Sequence, residues 1–250
     1  MRPLRAVWSS DHELILDKPA GIPSEATYRK DGKSAQELVR IGAFESMGIS
    51  EMASSRLSDA VLPHRIDAIT EGLLVLALSR EAAGWHGKDI TARRWRKLYV
   101  AALPRVNDPD RLLGTQKAYL VRNGRRAERV RAGGKPAFMD VLAVKPSATD
   151  SSTVHALIDL KTGRYHQIRV MMEGLGCPLV GDRFYGGREG DMLLKHVLVG
   201  IRPFGSETLR VFEATDGLAE RGVASGIIDR VLKIRHDTDG CPVEIESPAD

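Results

Sequence analysis

The chain has 250 residues, 42% of them hydrophobic, enough to fill the core of one large domain or two small ones. Its 37 basic and 33 acidic residues leave a net charge of +4, a mild bias that suits a polyanionic partner without requiring one. The apolar run at 73–78 falls far short of the roughly 20 residues that cross a bilayer, and the first residues lack an apolar signal core, so neither a membrane span nor a secretory signal is expected.

In chain order, "HELILDKP" is the first clear strand and runs into a Pro19-Ala20-Gly21 turn. Ser34 stands three residues before Glu37, a capping-box spacing, and Leu38, Ile41 and Phe44 follow at helical intervals. "GLLVLAL" is short and β-compatible, which predicts a buried strand. "SREAAGWHGKDITARRW" predicts a helix, and "KLYVAAL" a strand with Tyr99 and Ala101 on one face. Residues 104–133 are polar, basic and Gly-containing, a hairpin or loop excursion, after which "GGKPAFMDVLAV" re-enters the sheet.

Further on, "VHALIDL" alternates as a strand, with Val154, Ala156, Ile158 and Leu160 on one face. "RYHQIRVMMEGLG" predicts a helix stopped by Gly174 or Gly176, its methionines in the core. Strands outnumber helices without regular alternation, which argues for a mixed α/β (α+β) domain rather than a doubly wound one. The end, "DTDGCPVEIESPAD", is acidic and is expected to form an edge or a loose tail.

Two basic clusters stand out. Residues 122–135 hold Arg122, Arg125, Arg126, Arg129, Arg131 and Lys135 against Glu128 alone, and 93–97 read "RRWRK". Solvated faces and phosphate contact both remain open for each. Cys177 and Cys241 form neither a disulfide framework nor a zinc pattern, which points to a reducing cytoplasm.

The chemistry centres on Asp67 in "PHRIDAITEGLLVLAL". A carboxylate just ahead of an apolar strand either neutralises or gains a cationic partner. Arg65, two residues away, and Arg164, at the break after Gly163, are the candidates. A plain buried ion pair or helix cap is the rival reading. The sequence has no P-loop, G-x-G-x-x-G, H-x-x-x-H or G-x-S-x-G pattern, so no metal site is expected.

"HRIDAITEGLLVLA" closely resembles the His-Arg-Leu-Asp, Thr-Ser-Gly signature of RluA-type RNA pseudouridine synthases, and "LKTGRYHQIRVMMEGLGCPLVGDRFYGG" resembles their second signature. "ILDKPAGIP" looks like their lysine-proline turn, "KLYVAAL" like their tyrosine strand, and "GGKPA" like a further element, together covering about residues 13–213. The resemblance implies the pseudouridine synthase fold, a large mixed, mainly antiparallel sheet flanked by helices and loops. Residues 1–213 would form the catalytic domain and 214–250 a C-terminal extension with an acidic end.

It further implies a cofactor-independent isomerase that converts a flipped-out uridine of ribosomal or transfer RNA to pseudouridine, expected to be a cytoplasmic monomer. Asp67 would be the catalytic aspartate, Tyr99 would stack on the uracil, Arg164 would pair with Asp67, and Arg65 would enter the RNA where the base has left. His64, Thr70, Gly72, His166, Gln167 and Arg169 match motif positions and are taken as support. Ile66, Glu71 and Met171 depart from the pattern, and Glu71 adds negative charge near Asp67. The alternatives are a non-catalytic RNA-binding or chaperone domain on the same scaffold and, more remotely, a hydrolase pairing Asp67 with Glu71.

Overall fold

The computed structural model describes residues 2–26, 32–46 and 48–240. The elements are β1 (Arg5–Ser9), β2 (Glu13–Lys18), α1 (Ala35–Arg40), α2 (Glu51–Ser55), β3 (Glu71–Ala77), α3 (Arg80–Thr91) and β4 (Arg96–Pro104). There follow β5 (Gly114–Asn123), β6 (Arg126–Val130), β7 (Lys135–Pro146), β8 (Thr153–Leu160), α4 (Gln167–Gly174), β9 (Leu194–Ile201), β10 (Arg210–Glu213) and α5 (Ser225–Thr238). The architecture is mixed α/β with a large sheet, as expected. No helix among the described residues is long and apolar enough to cross a membrane.

The chain divides into two compact units, each built from separate stretches. The first takes the chain up to Trp95, Leu198–Ala214 and the stretch from Ile234 onward. Here β1 pairs antiparallel with β2, β2 with β3, and β10 with the second half of β9. β2 is buried along its whole length, as are six of the seven residues of β3; β3 is apolar after Glu71, whereas β2 buries Glu13, Asp17 and Lys18 beside Leu14, Ile15 and Leu16. One face of β2 and β3 packs on α1 through Leu14, Leu16, Leu74, Leu76, Ala35 and Val39. The other carries Ile15, Leu73 and Val75 against Val199, Ile201 and Phe212.

The capping box at Ser34 is present, with Ser34 Oγ accepting from Glu37 N–H and Glu37 Oε2 accepting from Ser34 N–H. α1 is nevertheless shorter than the spacing predicts. Ile41 is its cap, and Gly42 at φ +70° turns the chain before Phe44.

The second unit holds Arg96–Val197 and Thr215–Lys233. The strands β4, β8, β7, β5 and β6 pair antiparallel in that order. Residues 104–133 supply β5 and β6, which form a hairpin, so the excursion is regular structure. Tyr99, Ala101 and Leu103 of β4 and Val154, Ala156, Ile158 and Leu160 of β8 share one core with Ile168, Met171 and Met172 of α4, matching the expected faces.

The sequence reading left out β1, α2, β9, β10 and α5. β9 is buried at all eight positions yet contains Lys195, His196 and Gly200, which hide the strand pattern. Lys195 Nζ is accommodated by donating to Asp216 O at 2.6 Å. Residues 241–250, with Cys241 and most of the acidic end, lie outside the described residues.

Candidate active-site residues

In the first unit Asp67 is half-buried and opens a turn in which Thr70 N–H donates to Asp67 O at 3.0 Å. Aspartate suits the first position of such a turn. Its neighbours on both sides are fixed. Ser24 Oγ donates to Ile66 O at 2.7 Å and accepts from Ile66 N–H at 3.2 Å, while Ala68 O accepts from Gly21 N–H at 2.7 Å. Gly72, at φ +101°, lets the chain turn from this loop into β3, where it faces Lys18 of β2.

Lys18 is the residue that the sequence reading did not single out beyond its lysine-proline turn. Its side chain is fully buried, and Nζ donates to the carbonyls of Pro19 at 2.9 Å, Ile22 at 2.7 Å and Ala68 at 3.3 Å. Three donors meet three acceptors, which ties the β2 turn to the loop carrying Asp67. Burial pushes the Lys18 ammonium down to about 7, against the opposing attraction of Asp67, Glu71 and Asp17. Glu71 therefore shares the field of Lys18 with Asp67, so its extra negative charge faces a cation.

Arg65 is engaged elsewhere. Its guanidinium pairs with Glu25, and both side chains are about half exposed. His64 is held by the strand it precedes, with Nε2 accepting from Val75 N–H at 2.9 Å and the ring edge-on to Trp95. That acceptor role leaves the imidazole proton on Nδ1.

In the second unit Tyr99 lies on β4 opposite Ile158 of β8. Its ring is buried and stacks on His196 of β9, with centroids 4.5 Å apart and an interplanar angle of 8°. His196 went unnoticed in the sequence because β9 did. Lys97, two residues before Tyr99, is buried. Desolvation lowers its ammonium to about 8, with Asp159 opposing the shift and the charge of Arg164 adding to it.

Arg164 sits on the loop between β8 and α4. Its N–H donates to Gln167 Oε1 at 3.0 Å and its Nε–H to Pro136 O at 2.9 Å. Gln167 also accepts from Thr162 Oγ1 at 2.8 Å and donates to Phe138 O at 3.0 Å, so one amide braces the whole bend. His166 occupies the N-cap of α4 at φ +53°, which starts the helix later than the sequence pattern suggests. Burial, reinforced by the charge of Arg169, holds its imidazolium down to about 3, so the ring is neutral at ordinary pH; its Nδ1 lies 2.9 Å from Tyr185 Oη. Arg169 and Asp182 form a buried two-pronged pair at 2.7 and 2.9 Å.

The cluster at 93–97 is largely neutralised or buried. Arg94 bonds Asp89 at 3.2 Å, Arg96 approaches Asp159 at 3.6 Å, and Trp95 and Lys97 are inside.

The chain matches the model of the RNA pseudouridylate synthase family over residues 12–174. It is 31% identical over 188 residues to ribosomal large subunit pseudouridine synthase D of Pseudomonas aeruginosa, covering 74% of this chain and 54% of that protein. It is 26% identical over 194 residues to the dual-specificity RNA pseudouridine synthase RluA of Escherichia coli K12, covering 77% and 82%. The first of these relatives is thus spanned for only about half its length. The fold resembles that of human RNA pseudouridylate synthase domain containing 1, with a TM-score of 0.69, 20% identity and coverage of 96% and 100%. With both signature stretches in place and the family match spanning well over half of its length, the chain belongs to the RNA pseudouridylate synthases, in their RluA-type group.

Proposed function

We propose that this chain isomerises uridine to pseudouridine in structured RNA, ribosomal or transfer, with Asp67 as its nucleophile. The observation that carries the reading is the anchoring of Asp67. Its loop is bonded at Ile66 and Ala68, and the buried Lys18 attracts its charge. A carboxylate fixed in this way is pre-organised for covalent attack.

The reaction breaks the N1 to C1′ bond of a uridine, turns the base and rejoins it through C5. The base must leave the stack first. Asp67 adds to C6 of the ring or captures C1′ of the sugar, both accessible to a carboxylate nucleophile. Tyr99 supplies the face for the uracil, Arg164 the cation that keeps Asp67 ionised and oriented, and Arg65 the side chain that fills the vacated position in the RNA. The exposure of Arg65 and its weak surface pairing suit that last role. No net oxidation occurs, so the chain's own side chains suffice.

We also read it as a monomer of the cytoplasm. Pseudouridine mapping on unmodified total ribosomal and transfer RNA, with wild type and Asp67→Asn side by side, tests the activity. New pseudouridine from the wild type alone is the expected result. Equal yields from both proteins would remove Asp67 from the mechanism.

A further inference from the structure

Within the second unit, β6 and the C-terminal half of α4 enclose a cleft of about 550 Å³. Arg126, Glu128, Arg129 and Arg131 line it from the hairpin, where Glu128 accepts from Asn123 Nδ2 at 3.1 Å, and Val170, Glu173 and Gly174 line it from the helix. Arg126 is already committed. It approaches Glu173 at 4.0 Å, and its guanidinium lies over the Tyr185 ring, 4.9 Å from the centroid. Arg129 and Arg131 differ. Both are exposed, and neither side chain has a hydrogen bond or ion pair among the described residues. Two cations with no carboxylate of their own, on the wall of a cleft, are what a polyanion requires.

The platform beneath them is fixed. Ala127 N–H donates to Tyr185 Oη at 2.8 Å, and that hydroxyl donates back to Ala127 O at 3.3 Å. Tyr165 Oη donates to Arg125 O at 3.3 Å, and Arg122 stacks over the Tyr165 ring at 4.4 Å. The Arg129 side chain lies directly across Gly174. A Cβ there would fall 1.7 Å from Arg129 Nη1, so the glycine supplies the space the guanidinium uses. Gly174 ends α4, where the helix carbonyls favour a cation, and this resting place explains how Arg129 is held without a side-chain partner.

We propose that this cleft binds backbone phosphates of the RNA chain flanking the target uridine, with Arg129 and Arg131 as the contacting cations. The inference rests on the RNA-modifying function proposed above. The lining favours backbone over bases because the free groups are guanidiniums and no aromatic ring lines the cleft to stack a base. Gln167 and Gly174 are separated by seven residues of helix, about 10 Å of rise. The cleft therefore serves a neighbouring nucleotide, set back from the bend that carries Arg164.

The test compares wild type, Arg129→Ala/Arg131→Ala and Arg129→Lys/Arg131→Lys. Affinity for unmodified transfer RNA and large-subunit ribosomal RNA transcripts is measured over a salt series, together with pseudouridine formation at saturating RNA and thermal melting. The alanine pair should bind about tenfold or more weakly at low salt, with a log Kd against log salt slope shallower by roughly 1.5. Its turnover at saturating RNA and its melting temperature should stay near wild type, and the lysine pair should recover most of the affinity.

An unchanged affinity and slope in the alanine pair would overturn the proposal, and so would a fall in melting temperature alone, which marks a purely structural role. The two readings fail separately. Wild type that binds RNA through these arginines without making pseudouridine would keep the cleft and remove the activity. Wild type that makes pseudouridine while the alanine pair binds equally well would do the reverse.

Discussion

At the scale of single residues, the loop of Asp67 is tied down by Lys18, which the sequence offered only as part of a lysine-proline turn. The sequence made Asp67 legible, because a carboxylate beside an apolar strand is costly without compensation. It pointed to arginines for that compensation. The fold adds Lys18, buried on another strand and attracted by Asp67, a neighbour that no local spacing encodes, while Arg65 pairs with Glu25. Asp67→Asn should lower pseudouridine formation by roughly three orders of magnitude or more, as loss of a nucleophile does elsewhere, with circular dichroism and RNA binding preserved. Lys18→Met keeps the stem but strands three carbonyls. It should cost a few kcal/mol, at about 1–3 kcal/mol per unsatisfied buried group, read as a shift in the urea midpoint.

The same lysine gives a pH signature. Its folded value is near 7, against 10.5 for the free side chain, so between these limits the unfolded chain binds more protons and stability from this group rises with pH. Activity should move the opposite way, since a neutral amine no longer attracts Asp67. Falling turnover above about pH 7 with no loss of urea stability is the expected pair of profiles. Parallel decline of both would assign the pH effect to unfolding.

At the scale of elements, local chemistry was legible wherever it was self-contained. The Ser34 box, the alternating faces of β4 and β8, and the core methionines of α4 all appear as read. Ser34→Ala should cost about 1 kcal/mol, checked by denaturant titration. Elements set by distant partners were not legible. β9 needs a bond from Lys195 to Asp216 to bury its polar start, and α5, carrying Ile227 and Val231 as its buried pair, shows only a thin apolar stripe. Arg169 was read as support, and its geometry shows what kind: a guanidinium locked to Asp182 behind the Tyr185 ring. Arg169→Ala leaves that aspartate buried and unpaired, and should destabilise the chain by about 3–5 kcal/mol in the same assay.

At the scale of the whole molecule, a net charge of +4 understates how the basic residues are arranged. One cluster is absorbed by carboxylates and burial at the entry to β4, while the other keeps free guanidiniums on a braced hairpin. Composition cannot separate these cases, because neutralisation depends on which acid folds beside which base. RNA affinity should accordingly fall as salt rises, linearly on logarithmic axes, and a binding titration at several ionic strengths checks it.

Neither compact unit is a contiguous piece of chain, and this has a consequence during synthesis. The first unit opens with the chain's first residues but takes Leu198–Ala214 and the stretch from Ile234 onward as well. At about 5–20 residues per second, a ribosome needs roughly 7–28 s to travel from Trp95 to Ile234. Throughout most of that interval Ile15, Leu73 and Val75 lack Val199, Ile201 and Phe212, the side chains that cover them in the finished protein. The nascent chain thus presents an open apolar strand pair to whatever binds such surfaces first, and the yield of native protein depends on how well that waiting period is protected.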